Sequence, residues 1–372
     1  MKKQYNICTR CVMDTTDPLI YFNDFGECNH CTEAIKLGKK ICFPDNVGKQ
    51  KLESIIRKIK EDCVGNKYDA IAGLSGGVDS SYLVYKAAIE WGLRLLVIHV
   101  DAGWNDKIAE ENIHALNNLE NVDLKIIKIN WDDMRALQLA FLKAGVPNQD
   151  IPQDHAFFST LYSYAIKNKI KYVLNGSNWE TENILPKAWG YNASDGKHIK
   201  DIYKKFGTKK LKKYPISSVY KLKVYYPFFK KLKIIKPLNL MPYNKEDAIT
   251  ELEQNTGWRY YGGKHFESIW TKFFQSYYLP VKFNYDKRKA HLSSLIVSGQ
   301  ITREEALEEL KKSPYNQSTI EEDKDIIASK LNITKEELEI YLKSEPKKHS
   351  DFYCSEDTYL YKMLFGIHKK IN

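Results

Sequence analysis

No stretch of this 372-residue chain approaches the ~18 consecutive apolar residues that a membrane-spanning helix needs. Its first residues, Met1-Lys2-Lys3-Gln4-Tyr5-Asn6, do not lead into the apolar segment of a secretory signal. Both absences predict a soluble cytoplasmic protein. The Walker pattern Gly-x-x-x-x-Gly-Lys-[Ser/Thr] is missing, which excludes that type of nucleotide loop. Cysteine is missing from the whole stretch between Cys63 and Cys354. Thiolate catalysis or cluster ligation by the central part of the chain is therefore excluded. There is no internal repeat beyond a doubled Cys-x-x-Cys, and no low-complexity tract beyond a lysine-rich segment. The apolar fraction, 43%, is ordinary for a globular protein, and the length suits two domains or one α/β domain with attachments.

The most informative segment is Ser75-Gly76-Gly77-Val78-Asp79-Ser80-Ser81, directly after the apolar run Ala70-Ile71-Ala72-Gly73-Leu74. Leu83, Val84, Ala87, Ala88 and Trp91 then recur at helical spacing. A strand that breaks into a Gly-rich turn at a helix N-terminus gathers free N–H groups and a favourable dipole, which makes an anion site. Gly76 and Gly77 admit a phosphate close to the backbone. Ser75, Ser80 and Ser81 add hydroxyl donors. Asp79 would repel a phosphate unless a bridging Mg²⁺ stood between them. The competing reading is a tight turn with an ordinary N-cap.

Cys8-x-x-Cys11 and Cys28-x-x-Cys31 have the spacing of a four-thiolate structural zinc site. Disulfides or a redox pair are the competing readings, and His30 is a possible substitute ligand. The formal net charge is +10, and thirteen lysines fall between Lys200 and Lys236, interleaved with tyrosines. That mixture suits a nucleotide-sugar, an acidic protein or a nucleic acid, or is simply a solvated surface.

Along the chain, residues 1–35 read as a zinc knuckle and 36–66 as a linker helix. A helix near 49–62 is expected to pack the knuckle onto the main domain. Residues 67–240 read as an α/β domain carrying the glycine loop, with a basic insertion at about 185–232, and 241–372 as a helical C-terminal region. Strands are expected at 69–74, 94–100, 124–130, 171–174 and 233–236, with helices at 80–91, 106–119, 131–143 and 156–168 between them. This alternation predicts a parallel sheet with helices on both faces. Ligands in such sheets bind beyond the carboxyl ends of the strands. Asp101 after the second strand and Gly176, Ser177 and Asn178 after the fourth fall there, as candidates for nucleotide binding. Thr302-x-x-Glu305 and Thr334-x-x-Glu337 read as capping boxes.

Ser-Gly-Gly-x-Asp-Ser resembles the pyrophosphate loop (PP-loop) of the ATP pyrophosphatase superfamily, which includes GMP, NAD and asparagine synthetases and tRNA thiolases. The resemblance implies an adenine nucleotide alpha hydrolase-like fold and cleavage of ATP between its α and β phosphates. The segment from Gly176 to Ile184 resembles the NAD synthetase stretch that holds a Mg²⁺-binding glutamate, and Glu182 takes that place. Two hard oxygen ligands, Asp79 and Glu182, would hold Mg²⁺ on the triphosphate. Glu180 is the weaker candidate.

Enzymes with this loop deliver nitrogen or sulfur. The thiol-free middle favours nitrogen, with a tRNA thiolase as the alternative. The segments Cys8-Thr9-Arg10-Cys11-Val12-Met13-Asp14-Thr15-Thr16-Asp17-Pro18, Gly26-Glu27-Cys28-Asn29-His30-Cys31, Gly262 to Ser268, Asp286 to Ser294 and Ser298 to Ala306 resemble the N-acetyl sugar amidotransferases of the PseA and WbpG type. The resemblance spans residues 5 to about 311. It implies conversion of a sugar acetamido group to an acetamidino group, in surface polysaccharide or flagellar glycan synthesis such as O-antigen or pseudaminic acid pathways. It also implies a nucleotide-activated acetamido sugar as substrate, and ammonia from glutaminase and synthase partners resembling the histidine-biosynthesis pair. The chain itself has no cysteine directly after Met1 and no Gly-x-Cys-x-Gly elbow for a glutaminase of its own. Lys287 and Arg288 are candidates for neutralising pyrophosphate, and His265 or Glu267 for taking a proton from the attacking nitrogen. Plain polar surface is the competing reading for all four. A non-catalytic nucleotide-binding adaptor is the remaining alternative.

Overall fold

The computed structural model describes residues 4–263 and 267–365. Five strands form one parallel sheet: β1 (Ala70–Gly73), β2 (Leu95–Asp101), β3 (Val122–Lys128), β4 (Tyr172–Leu174) and β5 (Lys233–Ile235). Their order is β3-β2-β1-β4-β5. Ala72 of β1 stands opposite Val97 on one side and Leu174 on the other. β1 is wholly apolar because both of its faces are covered. Ala70 and Ala72 enter the core on one face, and Ile71 enters the core on the other.

Before the sheet come α1 (Asn29–Ile41) and α2 (Asn46–Asp62). The sequence reading gave α2 the task of docking the knuckle. The structure gives that task to α1, which starts among the cysteines. Trp179 Nε1 donates to the Ala34 carbonyl (2.9 Å). A Cβ at Gly38 would come within 2.5 Å of the Trp179 ring, so only glycine lets α1 approach so closely. Instead, α2 lays Ile55, Ile56 and Ile59 against one sheet face.

The crossovers are α3 (Val78–Tyr85), α4 (Lys107–Leu116), α5 (Trp131–Ala144) and α6 (Ile151–Lys167). α3 runs on as a π-helix, Lys86–Glu90, where an α-helical continuation was expected. α6 starts earlier than expected, with Pro152 in its first turn, where the missing N–H costs nothing. After β4 a single turn, α7 (Trp179–Glu182), is capped by Asn178, whose side chain accepts from the Thr181 N–H. The insertion holds α8 (Gly196–Phe206) and a second π-helix, Lys221–Phe229. Then come α9 (Lys245–Thr256), α10 (Ile269–Phe273), α11 (Leu279–Phe283), α12 (Lys287–Val297), α13 (Arg303–Lys311), α14 (Ile320–Leu331), α15 (Lys335–Lys343) and α16 (Tyr359–Phe365). Both expected capping boxes form, at Thr302/Glu305 and Thr334/Glu337.

The C-terminal helices share a core with the sheet domain. Trp270, Phe273, Ile327 and Leu338 pack with Trp104, Phe141 and Ile199. No described helix is long and apolar enough to cross a membrane. The chain moves from β1 outward through β2 and β3, then returns to place β4 on the other side of β1. The crevice between β1 and β4, beyond their carboxyl ends, is the topological switch point where such sheets bind ligands.

Candidate active site

A cleft of about 460 Å³ opens at that switch point. Ser75, Gly77, Asp79 and Ser80 line it from the loop after β1, and Gly176 and Ser177 from the loop after β4. Glu182 of α7, Glu267 and Lys287 line it as well. The volume falls within the ordinary range of small-molecule sites.

The loop after β1 is held in place from several sides. Gly76 has φ +89°, and a Cβ there would sit 3.0 Å from the Ala109 carbonyl oxygen. Trp258 Nε1 donates to the Gly76 carbonyl (3.1 Å). The Ser75 N–H donates to Ser80 Oγ (3.2 Å), and the Gly77 N–H to Ser75 Oγ (3.2 Å). The hydroxyls of Ser75 and Ser80 and the N–H groups of the turn thus brace one another at the start of α3, the helix end that favours an anion.

Asp79 is oriented by two donors from distant segments. Tyr243 Oη donates to its Oδ1 (2.5 Å), and Asn178 Nδ2 donates to the same oxygen (3.0 Å). Burial pushes the Tyr243 hydroxyl pKa well up, and the Asp79 and Glu182 carboxylates push the same way. Both carboxylates therefore act on one hydroxyl across the crevice. Glu180 is turned elsewhere. It is buried, and accepts from Cys42 Sγ (3.4 Å) and Gln300 Nε2 (3.5 Å). Two residues on one helical turn stand about 200° apart, so Glu180 and Glu182 cannot share a face.

Five carboxylates line the cleft, Asp79, Asp150, Asp154, Glu182 and Glu267, against two lysines, Lys245 and Lys287. A polyphosphate entering alone would meet net repulsion. With a divalent cation between them, the same carboxylates become ligands. The donor set therefore fits Mg²⁺–ATP, with Asp79 and Glu182 as the oxygen donors beside the loop.

The other expected site residues are distributed unevenly. Ser81 and Asn178 are buried under the cleft, and Asn178 touches it through its bonds to Asp79 and to the Gly176 carbonyl. Gly76 shapes the loop without lining the cleft. The Asp101 carboxylate accepts from the Gly103 N–H (2.8 Å), closing the turn after β2, and does not line the cleft. Glu267 lies at the phosphate end: a Cβ at Gly77 would be 3.3 Å from Glu267 Oε1 and 3.3 Å from Tyr261 Oη. Arg288 does not join Lys287 in the cleft. Its Nε and Nη2 bind the Asp286 carboxylate (3.0 and 2.7 Å), and Nη1 donates to the Glu309 and Lys312 carbonyls (3.3 and 3.0 Å). Arg288 thus ties α12 to the end of α13. His265 lies outside the described residues. Of the basic insertion, no described lysine lines the cleft.

Sequence reasoning missed several lining groups. His99 Nδ1 donates to the Leu74 carbonyl (2.8 Å), and its Nε2 accepts from Asn105 Nδ2 (2.9 Å). Burial lowers its pKa, which fits this neutral tautomer. Asp150 accepts from Thr271 Oγ1 (3.0 Å) and Gln153 Nε2 (2.8 Å). Burial and neighbouring Asp154 push its pKa well up. Their i, i+4 spacing at the start of α6 was a readable signal. Tyr243 and Tyr261 gave none, because only the fold brings them to Asp79.

The four knuckle cysteines come together at the other side of α1. Their sulfurs all lie within 4.8 Å of one another, and each is fully buried. Cys8–Cys31, Cys11–Cys28 and Cys28–Cys31 are 3.7, 3.6 and 3.6 Å apart. Tetrahedral zinc with Zn–S of ~2.3 Å needs S···S near ~3.8 Å, so the donor set fits zinc. His30 is not a ligand: its Nε2 pairs with Asp17 Oδ2 (2.5 Å). The knuckle is braced from the C-terminal region. Arg303 donates to the Cys8 and Cys11 carbonyls (3.0 and 3.1 Å), and the Val12 N–H to Ser293 Oγ (3.1 Å).

Residues 267–365, which supply Glu267, Lys287, Ser293 and Arg303, match the family model described as LPS biosynthesis protein WbpG-like, C-terminal domain. This chain carries a WbpG-like C-terminal domain. Family and loop together support an ATP-dependent ligase or amidotransferase. No curated protein matches the chain. Among solved structures, it is similar to the U34-tRNA thiolase NcsA from Methanococcus maripaludis with its [4Fe-4S] cluster, at 19% identity and TM-score 0.35, over 81% of this chain and 88% of that one. It is also similar to the NMN synthetase from Francisella tularensis, at 18% identity and TM-score 0.28, over 55% and 82%. The NH3-dependent NAD synthetase from Campylobacter jejuni gives 17% and 0.28, over 56% and 85%. Likenesses this loose carry no argument; the strand order and the loop carry the fold assignment.

Proposed function

We propose that this protein is an ATP-dependent N-acetyl sugar amidotransferase, converting the acetamido group of a nucleotide-activated sugar to an acetamidino group with ammonia. The observation that carries the reading is the pairing of Asp79 and Glu182 across the switch-point crevice, beside an anion-binding loop, in one cleft with Glu267 and Lys287 of the WbpG-like segment.

An acetamide carbonyl is a poor electrophile because its oxygen does not leave. In the proposed reaction, that oxygen attacks the α-phosphorus of ATP. The α–β bridging bond breaks, and pyrophosphate departs toward Ser75, Gly77 and Ser80. Mg²⁺ held by Asp79 and Glu182 would screen the charge on the departing pyrophosphate. Glu267 stands at this phosphate end and is better placed to share the cation than to meet ammonia. Lys287 supplies positive charge to the same cleft, within electrostatic reach of Asp150. Ammonia then adds to the imidate carbon, AMP leaves with the former amide oxygen, and an amidine remains. Asp150 and Asp154, on the α6 wall, are the acids proposed to take the proton that the nitrogen sheds. Catalysis on this account is positioning plus charge stabilisation.

The thiolase alternative needs a reactive thiolate or a cluster at the ATP. None of the seven cysteines lines the cleft, and four are closed into the knuckle. Nitrogen transfer is therefore the reading retained, with ammonia from separate glutaminase and synthase partners. The test is an assay with α-labelled ATP, Mg²⁺, ammonium and a panel of UDP- and CMP-linked acetamido sugars. AMP together with a sugar whose mass has changed by NH for O establishes the activity and names the substrate. AMP release only with tRNA and a sulfur donor would overturn it.

A further inference from the structure

The basic insertion takes no part in the cleft, yet it carries a distinctive surface. Between Asp201 and Glu246 the chain has no acidic residue. The π-helix Lys221–Phe229 buries Leu222 and Tyr226 beside α6. Its other side leaves Phe228 74% and Phe229 72% exposed, with Tyr225 at 43%. Phenyl rings this exposed project from the surface. They have no hydrogen-bonding capacity, so contact with bulk water is a cost that a partner would remove.

Lys230 and Lys231 follow these rings in the chain and are exposed, with Lys230 Nζ 5.5 Å from the Tyr225 ring centroid; Lys233, also exposed, lies over the Tyr172 ring of β4, 5.2 Å from its centroid. The position follows from topology. These residues lead directly into β5, the edge strand, and the Lys233 N–H bonds the Lys171 carbonyl ahead of β4. They therefore sit at the amino end of the sheet, opposite the cleft.

We propose that this ridge is a peripheral membrane-docking surface for anionic lipid. Phe228 and Phe229 enter the boundary between headgroups and acyl chains, and Lys230, Lys231 and Lys233 meet the lipid phosphates. A projecting apolar tip followed by exposed lysines needs no complementary cavity, which a lipid interface does not offer. The charge is of the right sign for an anionic leaflet, with no carboxylate in the segment to oppose it. Docked this way, the protein keeps its cleft facing the solution and its soluble substrates. The inference does not depend on which reaction the cleft performs.

The test is co-sedimentation of the full chain with phosphatidylcholine vesicles, with and without phosphatidylglycerol. Partitioning to the anionic vesicles should be about tenfold or more stronger, and should weaken as salt rises. Phe228→Ser with Phe229→Ser should reduce it about tenfold while keeping the circular dichroism and ATP turnover of the parent. Lys230→Glu with Lys231→Glu should reduce it at least as much. Equal partitioning to neutral and anionic vesicles would overturn the proposal, as would anionic binding that the double Phe variant leaves unchanged. Binding of single-stranded RNA in place of vesicles, lost in the same variants, would assign the ridge to nucleic acid and overturn it too.

Discussion

The cysteine knuckle and the switch-point cleft are built on opposite plans. In the knuckle, four sulfurs are fully buried and close on one another, which fits the complete shell of a tetrahedral zinc with no position left open. In the cleft, carboxylates from α3, α6, α7 and the C-terminal segment line an open space beside the loop after β1, where a cation would balance them. A complete ligand shell stabilises; an incomplete one reacts. The two are joined through α1, whose Ala34 and Gly38 hold the Trp179 ring of α7, the turn that carries Glu182. Ser294 of α12 adds a second tie, donating through its hydroxyl to the Ala290 carbonyl while accepting from the Ile184 N–H.

The largest expected effect separates the two regions outright. Asp79→Ala should lower AMP formation by about a thousandfold or more, because it removes a cation ligand aimed at the departing charge. Zinc content and thermal stability should be unchanged. An active Asp79→Ala variant would mean that the cleft works by other groups.

Cys28→Ser, or chelation of the wild type, should do the reverse in order. Zinc is lost first, and the folding free energy contributed by the site, several kcal/mol, goes with it. Activity then falls because α1 no longer supports α7. Calorimetry with and without chelator measures this. Full activity in a zinc-free protein would break the proposed link between knuckle and cleft.

Glu182→Gln should cost on the order of a hundredfold in kcat, and Glu180→Gln almost nothing. Equal effects would show that the turn of α7 does not sort the two acids. Tyr243→Phe, which removes one donor to Asp79, should cost about tenfold, as the loss of a group orienting a metal ligand does.

The smallest effect concerns stability alone. Burial raises the pKa of Glu180, and its bonds from Cys42 and Gln300 offset only part of that. The folded state then binds more protons than the unfolded one between the unfolded carboxyl value, ~4.3, and the raised value. Stability from this group is complete below that window and is lost as pH rises through it. Glu180→Gln should therefore be more stable than wild type above the window and flatter across it, in denaturant titrations at several pH values.

Much of this was readable in the chain. Ala70-Ile71-Ala72-Gly73 followed by two glycines gave β1, its loop and α3, since an apolar run covered on both faces and a glycine turn opening a helix produce that order. The doubled Cys-x-x-Cys gave the knuckle because each pair fixes two sulfurs on adjacent backbone. What stayed hidden was of three kinds. The π-helical turns at Lys86–Glu90 and Lys221–Phe229 have no composition that distinguishes them from α-helix. Tyr243 and Asn178 meet at Asp79 from positions far along the chain, and no local pattern announces it. Lys287 and Arg288 are neighbours with the same charge, and only the helix turn decides that one faces the cleft while the other caps α13.

The most direct test of the central claim follows one oxygen atom. The sugar substrate would be prepared with oxygen-18 in its acetamido carbonyl and turned over with ATP, Mg²⁺ and ammonia. If the amide oxygen attacks the α-phosphorus, the label appears in the phosphate of AMP and is absent from the amidine and the pyrophosphate. Label retained in the sugar, or released to water with unlabelled AMP, would contradict adenylation of the amide and with it the role assigned to the cleft.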